Sequence, residues 1–307
     1  MGAINSTFEK WRKVNKAKRK HNSLHVISDD ISGGLENLKV PAVSRNKHDK
    51  APNDYEYVPE YVASENSGIE YEGQMVNCEC LNDCRDELEP CKCSEGNIVY
   101  NETGLLVDPT NIIRECNPAC KCNKDKCQNS VIQKGPKNSF VLFKTKNRGW
   151  GVKSLDRLEY GSFIGIYSGE LVIFNQVTQR DDDTYLFNLN HSGVVCDAKF
   201  YGNFTRFINH SCEPNVIGIK AFTTHQDSRM PYIAFFAKKS IKPNQELTLD
   251  YGANYWLVKI ARDRIYCLCR RPTCKFRSSH MMPTDFVNSF TQQEQAETKT
   301  LPGSAGM

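Results

Sequence analysis

Arg206-Phe207-Ile208-Asn209-His210-Ser211-Cys212 and, about forty residues later, Leu247-Thr248-Leu249-Asp250-Tyr251-Gly252 decide how this chain is read. Neither stretch is specific by itself. Their weight comes from what stands around them, and in which order.

Short β-branched or aromatic runs bounded by Gly, Asn, Asp and Pro predict strands at Phe140-Val141-Leu142-Phe143, Phe163-Ile164-Gly165-Ile166-Tyr167, Tyr185-Leu186-Phe187-Asn188-Leu189 and Tyr232-Ile233-Ala234-Phe235-Phe236. Phe174 to Arg180 is the one clear helical candidate, and it is brief. The pattern predicts a mainly β fold of small curled sheets, not a doubly wound parallel sheet. No Gly-x-Gly-x-x-Gly follows a strand, which disfavours a Rossmann-type site. Arg148-Gly149-Trp150-Gly151-Val152 carries a different ligand-binding logic. Its glycines let backbone N–H and C=O groups come close to a ligand, and the tryptophan between them offers a flat apolar wall. Tyr167-Ser168-Gly169-Glu170 and Tyr201-Gly202-Asn203 follow in order.

Nine of the fourteen cysteines fall between residues 78 and 127, spaced Cys78-x-Cys80-x3-Cys84-x6-Cys91-x-Cys93 and, after a gap of 22, Cys116-x3-Cys120-x-Cys122-x4-Cys127. The polar, basic start shows no secretory signal, so a disulfide framework is not expected and metal is. Three tetrahedral zinc ions need twelve ligand positions. Nine thiolates supply them if three bridge two ions each. The resulting charge of about −3 can be offset by Lys92, Lys121, Lys124 and Lys126. Two independent zinc sites with a spare thiol, or free cysteines, are the other readings. Residues 97–114 hold no ligand and are expected to form a loop. A further Cys267-x-Cys269-x4-Cys274 supplies three sulfurs, one short of a tetrahedron.

Taken together, these motifs resemble the SET-domain protein lysine methyltransferases of the suppressor-of-variegation class over residues 78 to 280. The resemblance implies a SET fold with a knot-like active site, a three-zinc pre-SET cluster on the nine cysteines, and a one-zinc post-SET with Cys212 as the fourth ligand beside Cys267, Cys269 and Cys274. Cys196 is left over as a buried core thiol. The implied reaction is methyl transfer from S-adenosyl-L-methionine to a lysine amine. Tyr251 is the implied catalytic tyrosine, and Tyr167 lines the opposite channel wall. Gly149, Trp150, Gly151, Asp183, Tyr185, Arg206, Asn209 and His210 form the donor pocket, and Trp256 or Phe276 closes the channel. Leu249, two residues before Tyr251, stands where this class usually has Phe, and where mono-methylating relatives can have Tyr. It is the implied product-specificity position, and leucine there favours products beyond mono-methyl-lysine. The implied substrate is the histone H3 tail, at lysine 9, on heterochromatin in the nucleus. Asp181, Asp182 and Asp197 are candidate partners for that basic tail. A SET methyltransferase for another histone or non-histone lysine is the alternative within the class, and a zinc-rich chromatin-binding module without chemistry is the competing class.

The flanks are polar, in keeping with a mean hydropathy of −0.56. Residues 1–54 read as a basic flexible segment: residues 1–50 carry 11 Lys/Arg against 5 Asp/Glu. Such a run is either a solvated tail or a nuclear-import or nucleic-acid contact. Met1-Gly2-Ala3-Ile4-Asn5-Ser6 also fits a myristoylation pattern. Residues 55–75 read as a packing segment, 76–135 as the pre-SET zinc domain, 138–252 as the SET catalytic domain, 263–279 as the post-SET and 281–307 as a disordered tail. No run is apolar enough to suggest a membrane span.

Overall fold

The structure is a computed structural model that describes residues 24–63, 69, 76–85, 89–177, 183–189, 193–225 and 227–278. The chain divides into two compact units, Met1–Asn209 with Asn215–Leu249, and His210–Pro214 with Asp250–Met307.

In chain order the strands are β1 His25–Ser28, β2 Ala42–Ser44, β3 Glu56–Tyr57, β4 Val62–Ala63, β5 Ile113–Arg114, β6 Phe140–Lys144, β7 Trp150–Ser154, β8 Phe163–Ile166, β9 Glu170–Ile173, β10 Leu186–Asn188, β11 Val194–Asp197, β12 Tyr201–Gly202, β13 Asn209–His210, β14 Val216–Phe222, β15 Tyr232–Ala237 and β16 Thr248–Leu249. Helix α1 is Phe174–Val177 and α2 is Ala253–Asp263. In the larger unit, three four-stranded sheets run β1-β2-β6-β7, β10-β11-β9-β4 and β5-β14-β15-β8, and β12 pairs with β3. All four predicted strands are present, and mainly-β is the observed class.

β15 is buried along its whole length. It pairs antiparallel with β14 on one side and β8 on the other, so a continuous apolar run, not an alternating one, is what its position demands. Phe235 and Phe236 lie wholly inside, each contributing about 1.5–3 kcal/mol by burial.

Short strands from early in the chain join later ones in parallel: β2 on β6, β3 on β12, β4 on β9 and β5 on β14. The tyrosines of residues 55–61 fix this arrangement. The Tyr61 ring stacks on Tyr232 at 4.9 Å; its hydroxyl donates to Pro231 O at 3.1 Å and accepts the Ile233 N–H at 3.2 Å. Tyr57 Oη donates to Glu36 at 2.8 Å and accepts the Phe204 N–H at 3.3 Å. Packing was the expected role of residues 55–75; within it, Tyr57 and Tyr61 make the contacts just given.

Two expectations change. Residues 24–54 are not a flexible extension, because β1 and β2 belong to a sheet with β6 and β7. The expected loop over 97–114 ends in β5. That segment is held where the buried Glu115 carboxylate accepts from Tyr100 Oη at 2.8 Å and from the Ile132 N–H at 2.7 Å.

Helix α2, in the smaller unit, went unpredicted. It starts after Gly252, whose φ of +85° suits glycine. It buries Trp256, Lys259 and Ile260, with Lys259 reaching Asp263 one turn on at 3.4 Å. Tyr255-Trp256-Leu257-Val258 reads locally as a strand; the i, i+4 spacing of Trp256 and Ile260 is the helical signal. Residues 1–23 and 281–307, with their basic-tail, myristoylation and disorder expectations, lie outside the described residues, as do Asp181 and Asp182.

Candidate active site and zinc-binding clusters

The larger unit carries the glycine–tryptophan loop. It leads into β7, which pairs with β6 so that Trp150 faces Lys144 and Gly151 faces Phe143. Gly149 has φ +64°, the left-handed region that glycine tolerates. A Cβ on Gly151 would sit 2.9 Å from both Asn209 Nδ2 and the Phe143 ring. The close approach is used: Asn209 Nδ2 donates to Trp150 O at 2.9 Å and to Glu246 Oε1 at 3.1 Å. Glu246 also takes both of its oxygens to the Arg148 guanidinium, at 2.8 and 3.1 Å. Asn209 and Arg148 thereby clamp the two ends of the loop through one carboxylate. Glu246 is a site residue missing from the sequence reading. Its signal was an acid directly ahead of Leu247-Thr248-Leu249-Asp250-Tyr251.

Tyr167 is buried, and its hydroxyl donates to Tyr185 O at 2.7 Å. Its ring lies 5.2 Å from Phe187 and 6.0 Å from Phe235. Arg206 was expected to complete the donor pocket. Its guanidinium donates to Ala198 O at 2.6 Å and Lys199 O at 3.1 Å and lies 3.9 Å from the Tyr185 ring, 4.5 Å from Tyr55 and 4.8 Å from Phe207. It ties these three rings together by cation–π contact. Asp183 O accepts the Leu186 N–H at 3.2 Å. Asp197 is buried and its carboxylate accepts the Lys199 N–H at 2.9 Å, so it is not open to a basic tail. Leu249 is buried in β16.

The smaller unit holds the other half of the motif. His210 is 5% exposed and sits among the rings of Trp256 at 4.9 Å, Tyr251 at 5.4 Å and Phe276 at 6.1 Å. Its Nδ1 accepts the Tyr251 backbone N–H at 3.1 Å, and its Nε2 lies 3.3 Å from Cys212 Sγ. With Nδ1 accepting, the proton of the neutral ring is on Nε2 and faces the sulfur. Trp256 and Phe276 stack at 5.6 Å within a small core with Ile260, Cys267 and Cys274. Both are interior residues of this unit.

The sulfurs fall into sets with ligand geometry. Cys212, Cys267, Cys269 and Cys274 bring their sulfurs within 4.8 Å of one another. The nine earlier cysteines form four overlapping groups of four: Cys78-Cys91-Cys93-Cys116, Cys78-Cys80-Cys84-Cys91, Cys78-Cys116-Cys120-Cys122 and Cys84-Cys116-Cys122-Cys127. A Zn–S bond of about 2.3 Å in a tetrahedron separates sulfurs by about 3.8 Å. Several separations lie near this, 3.7 Å for Cys78–Cys84, 3.8 Å for Cys91–Cys116 and 3.9 Å for Cys212–Cys274, while Cys84–Cys116 and Cys93–Cys120 are closer, at 3.3 Å. Cys78, Cys84, Cys91, Cys116 and Cys122 each belong to more than one group, so sulfurs that could bridge two ions are present. Burial pushes the Cys212 thiol up to about 11 and Cys122 up to about 12, so a bound cation is what would hold them as thiolates. Cys196 is fully buried outside every group, as expected of a core thiol.

Residues 149–252 match the SET domain, and residues 32–130 match the Pre-SET motif. The chain belongs to the SET-domain family, in its pre-SET-bearing class. Human histone-lysine N-methyltransferase EHMT1 is 35% identical over 290 residues, 91% of this chain but 22% of that protein. Arabidopsis thaliana SUVH6, a histone-lysine N-methyltransferase described as H3 lysine-9 specific, is 33% identical over 304 residues, 87% of this chain and 38% of its own length. Its crystal structure in complex with SAM gives a TM-score of 0.73 at 34% identity, covering 87% of this chain and 59% of that one. KRYPTONITE in complex with mCHH DNA, an H3(1-15) peptide and SAH gives 0.70 at 30% identity, with 82% and 54% covered. The chain thus spans between a fifth and three fifths of the length of these relatives.

Proposed function

We propose that this chain transfers methyl groups from S-adenosyl-L-methionine to a lysine of the histone H3 tail, lysine 9 in particular, beyond the mono-methyl stage, and that it acts on heterochromatin in the nucleus. The observation that carries the reading is the fixed backbone of Tyr251, with its N–H on His210 Nδ1, in a chain that also keeps the Asn209–Trp150 clamp. A binding module without chemistry has no need of either. SUVH6 and the KRYPTONITE complex support the substrate class.

When bound, the donor supplies an electrophilic methyl group on a sulfonium. Gly149, Trp150 and Gly151 would hold it through backbone and ring, with Asp183, Tyr185, Asn209 and His210 around it. The protein must do the rest. A lysine ammonium has a pKa of about 10.4 and no lone pair; surroundings of low polarity, such as Tyr167 and its neighbouring rings, favour the neutral amine. The ammonium would give up its proton to solvent before transfer; the Tyr251 hydroxyl then orients the neutral amine and stabilises the transition state, instead of acting as a strong base, and the C–S bond that breaks would leave S-adenosyl-L-homocysteine. Alignment of amine and methyl supplies much of the rate. Zinc is structural in this account, with three ions on the pre-SET cysteines and one on the post-SET set.

The test is mass spectrometry of an H3 tail peptide after incubation with protein and donor, beside the same peptide with lysine 9 replaced by arginine. Di- or trimethylation of the first and none of the second is expected. Equal labelling of both moves the activity to another lysine, and no labelling of either refutes the reading.

A further inference from the structure

Two basic turns lie at one edge of the β1-β2-β6-β7 sheet. Because β2 and β6 are parallel, with Val43 opposite Phe143, both strands end on the same side, about 4.8 Å apart. β2 continues into Arg45-Asn46-Lys47-His48-Asp49-Lys50, and β6 into Lys144-Thr145-Lys146-Asn147-Arg148. Arg45, Lys47, Lys50 and Lys146 are all exposed.

The turns are built, not loose. In the first, Ser44 Oγ and Asn46 Nδ2 donate to Asp49 at 2.5 and 3.2 Å, and Asn46 Oδ1 accepts the His48 N–H at 3.0 Å. In the second, Thr145 Oγ1 donates to Gly149 O at 2.9 Å and accepts the Arg148 N–H at 2.9 Å.

Of the acids close by, Asp49 holds its own turn together and Glu246 holds Arg148 and Asn209; Asp54, four residues after Lys50, is exposed and offsets one of the positive charges. Lys144 is taken up by the Trp150 ring at 4.9 Å and Lys153 by the Phe143 ring at 4.1 Å. Lys153 is held below the usual lysine range first by burial, and Arg45 adds like-charge repulsion that Glu246 works against. Four cations therefore remain directed to solvent on a preformed edge. That is an arrangement for a regularly spaced polyanion.

The geometry points to this edge as a docking surface for the phosphate backbone of duplex DNA, with Arg45, Lys47, Lys50 and Lys146 as the contacts. Fixed turns keep the ordering entropy of binding low. Four phosphate contacts give a salt slope of about −3.6, so a fourfold rise in salt weakens this contribution on the order of 10²-fold. The surface suits a chromatin substrate and in that sense rests on the proposed function, although DNA binding is measured without methyl transfer.

The full chain is titrated against a fluorescent 30-base-pair DNA duplex at several salt concentrations, and compared with a variant carrying Arg45→Gln, Lys47→Gln, Lys50→Gln and Lys146→Gln. These side chains are exposed and outside the donor loop, so zinc content and H3-peptide turnover should stay at parental values. The expected result is a slope shallower by about 3 to 4. An unchanged slope overturns the assignment. So does tight binding of poly-glutamate that the four changes abolish while DNA binding persists, because the surface would then be one for acidic protein. Loss of peptide methylation in both proteins with the slope difference intact would count against the proposed reaction and leave the surface standing.

Discussion

His210 joins two functions that a pair of substitutions should separate. Its Nδ1 accepts the Tyr251 N–H at 3.1 Å and its Nε2 faces Cys212 Sγ at 3.3 Å. An asparagine side chain places its amide near the position of Nδ1, and a glutamine near that of Nε2. His210→Asn should therefore keep an acceptor for Tyr251 and lose the contact to the sulfur; His210→Gln should do the reverse. A backbone N–H left without its acceptor in a partly buried site costs about 1–3 kcal/mol. Set against Tyr251 orientation at 1.4 kcal/mol per decade, that is a drop in turnover of about 5- to 150-fold for the glutamine variant. The asparagine variant should stay within a few-fold of the parent but release zinc faster, since a hydrogen bond to a metal ligand is worth about 10- to 100-fold in affinity. Turnover is read on the H3 peptide, and zinc release by competition with a chromogenic chelator. Asparagine leaves the larger cavity among Trp256, Tyr251 and Phe276. If it lowers turnover more than glutamine does, the ring serves only packing and the reasoning fails.

Tyr251→Phe removes the hydroxyl without opening a cavity, and turnover should fall by at least ~10²-fold while donor binding, read by calorimetry, stays near parental; a few-fold change would assign the role to another group. Metal analysis should return four zinc ions per chain. Mild chelation should take the ion of Cys212, Cys267, Cys269 and Cys274 first, abolishing activity while circular dichroism stays near that of the folded protein; two or fewer ions in an active sample would contradict this. Leu249 offers no hydrogen bond to anchor a water where a methylated amine needs room, so the parent should pass mono-methyl, and Leu249→Tyr should shift the product distribution towards it at long times with excess donor. A parent that stops at mono-methyl removes that account.

The cysteine clusters were legible because paired Cys-x-Cys steps have few uses besides metal, and thirteen cysteines fall into groups with ligand geometry. Gly149-Trp150-Gly151 is a weak signal by itself and gains meaning only from its order with the later motifs. The strands were legible because aromatic and β-branched runs such as Tyr232–Phe236 contrast with their polar borders. What escaped depends on partners distant in sequence. Nothing in Ala42-Val43-Ser44 shows that it will lie beside Leu142, and nothing in Ile113-Arg114 points to Phe222. The packing of Arg206 escaped because its three rings come from residues 55, 185 and 207, two of them remote. Glu246 was passed over because one carboxylate before a strand is ordinary until Arg148 and Asn209 meet it. Helix α2 was hidden by residues whose intrinsic preference favours strands, overridden by the burial of Trp256 and Ile260 beside Cys267 and Cys274.

The early strands that lie parallel to later ones bear on the order in which the protein is made. β3 awaits Tyr201 and Gly202, and β4 awaits Glu170 and Leu171, so neither finds its partner until more than a hundred further residues have left the ribosome. The nine-cysteine stretch lies between and needs only its own sulfurs and metal. Synthesis should thus yield a zinc-held nucleus first, with the tyrosines at 55, 57 and 61 left in water beside it. Long-range pairing of this kind is slow. Until it is complete, the unpaired edges of β3 and β4 are where a half-made chain is exposed to its neighbours.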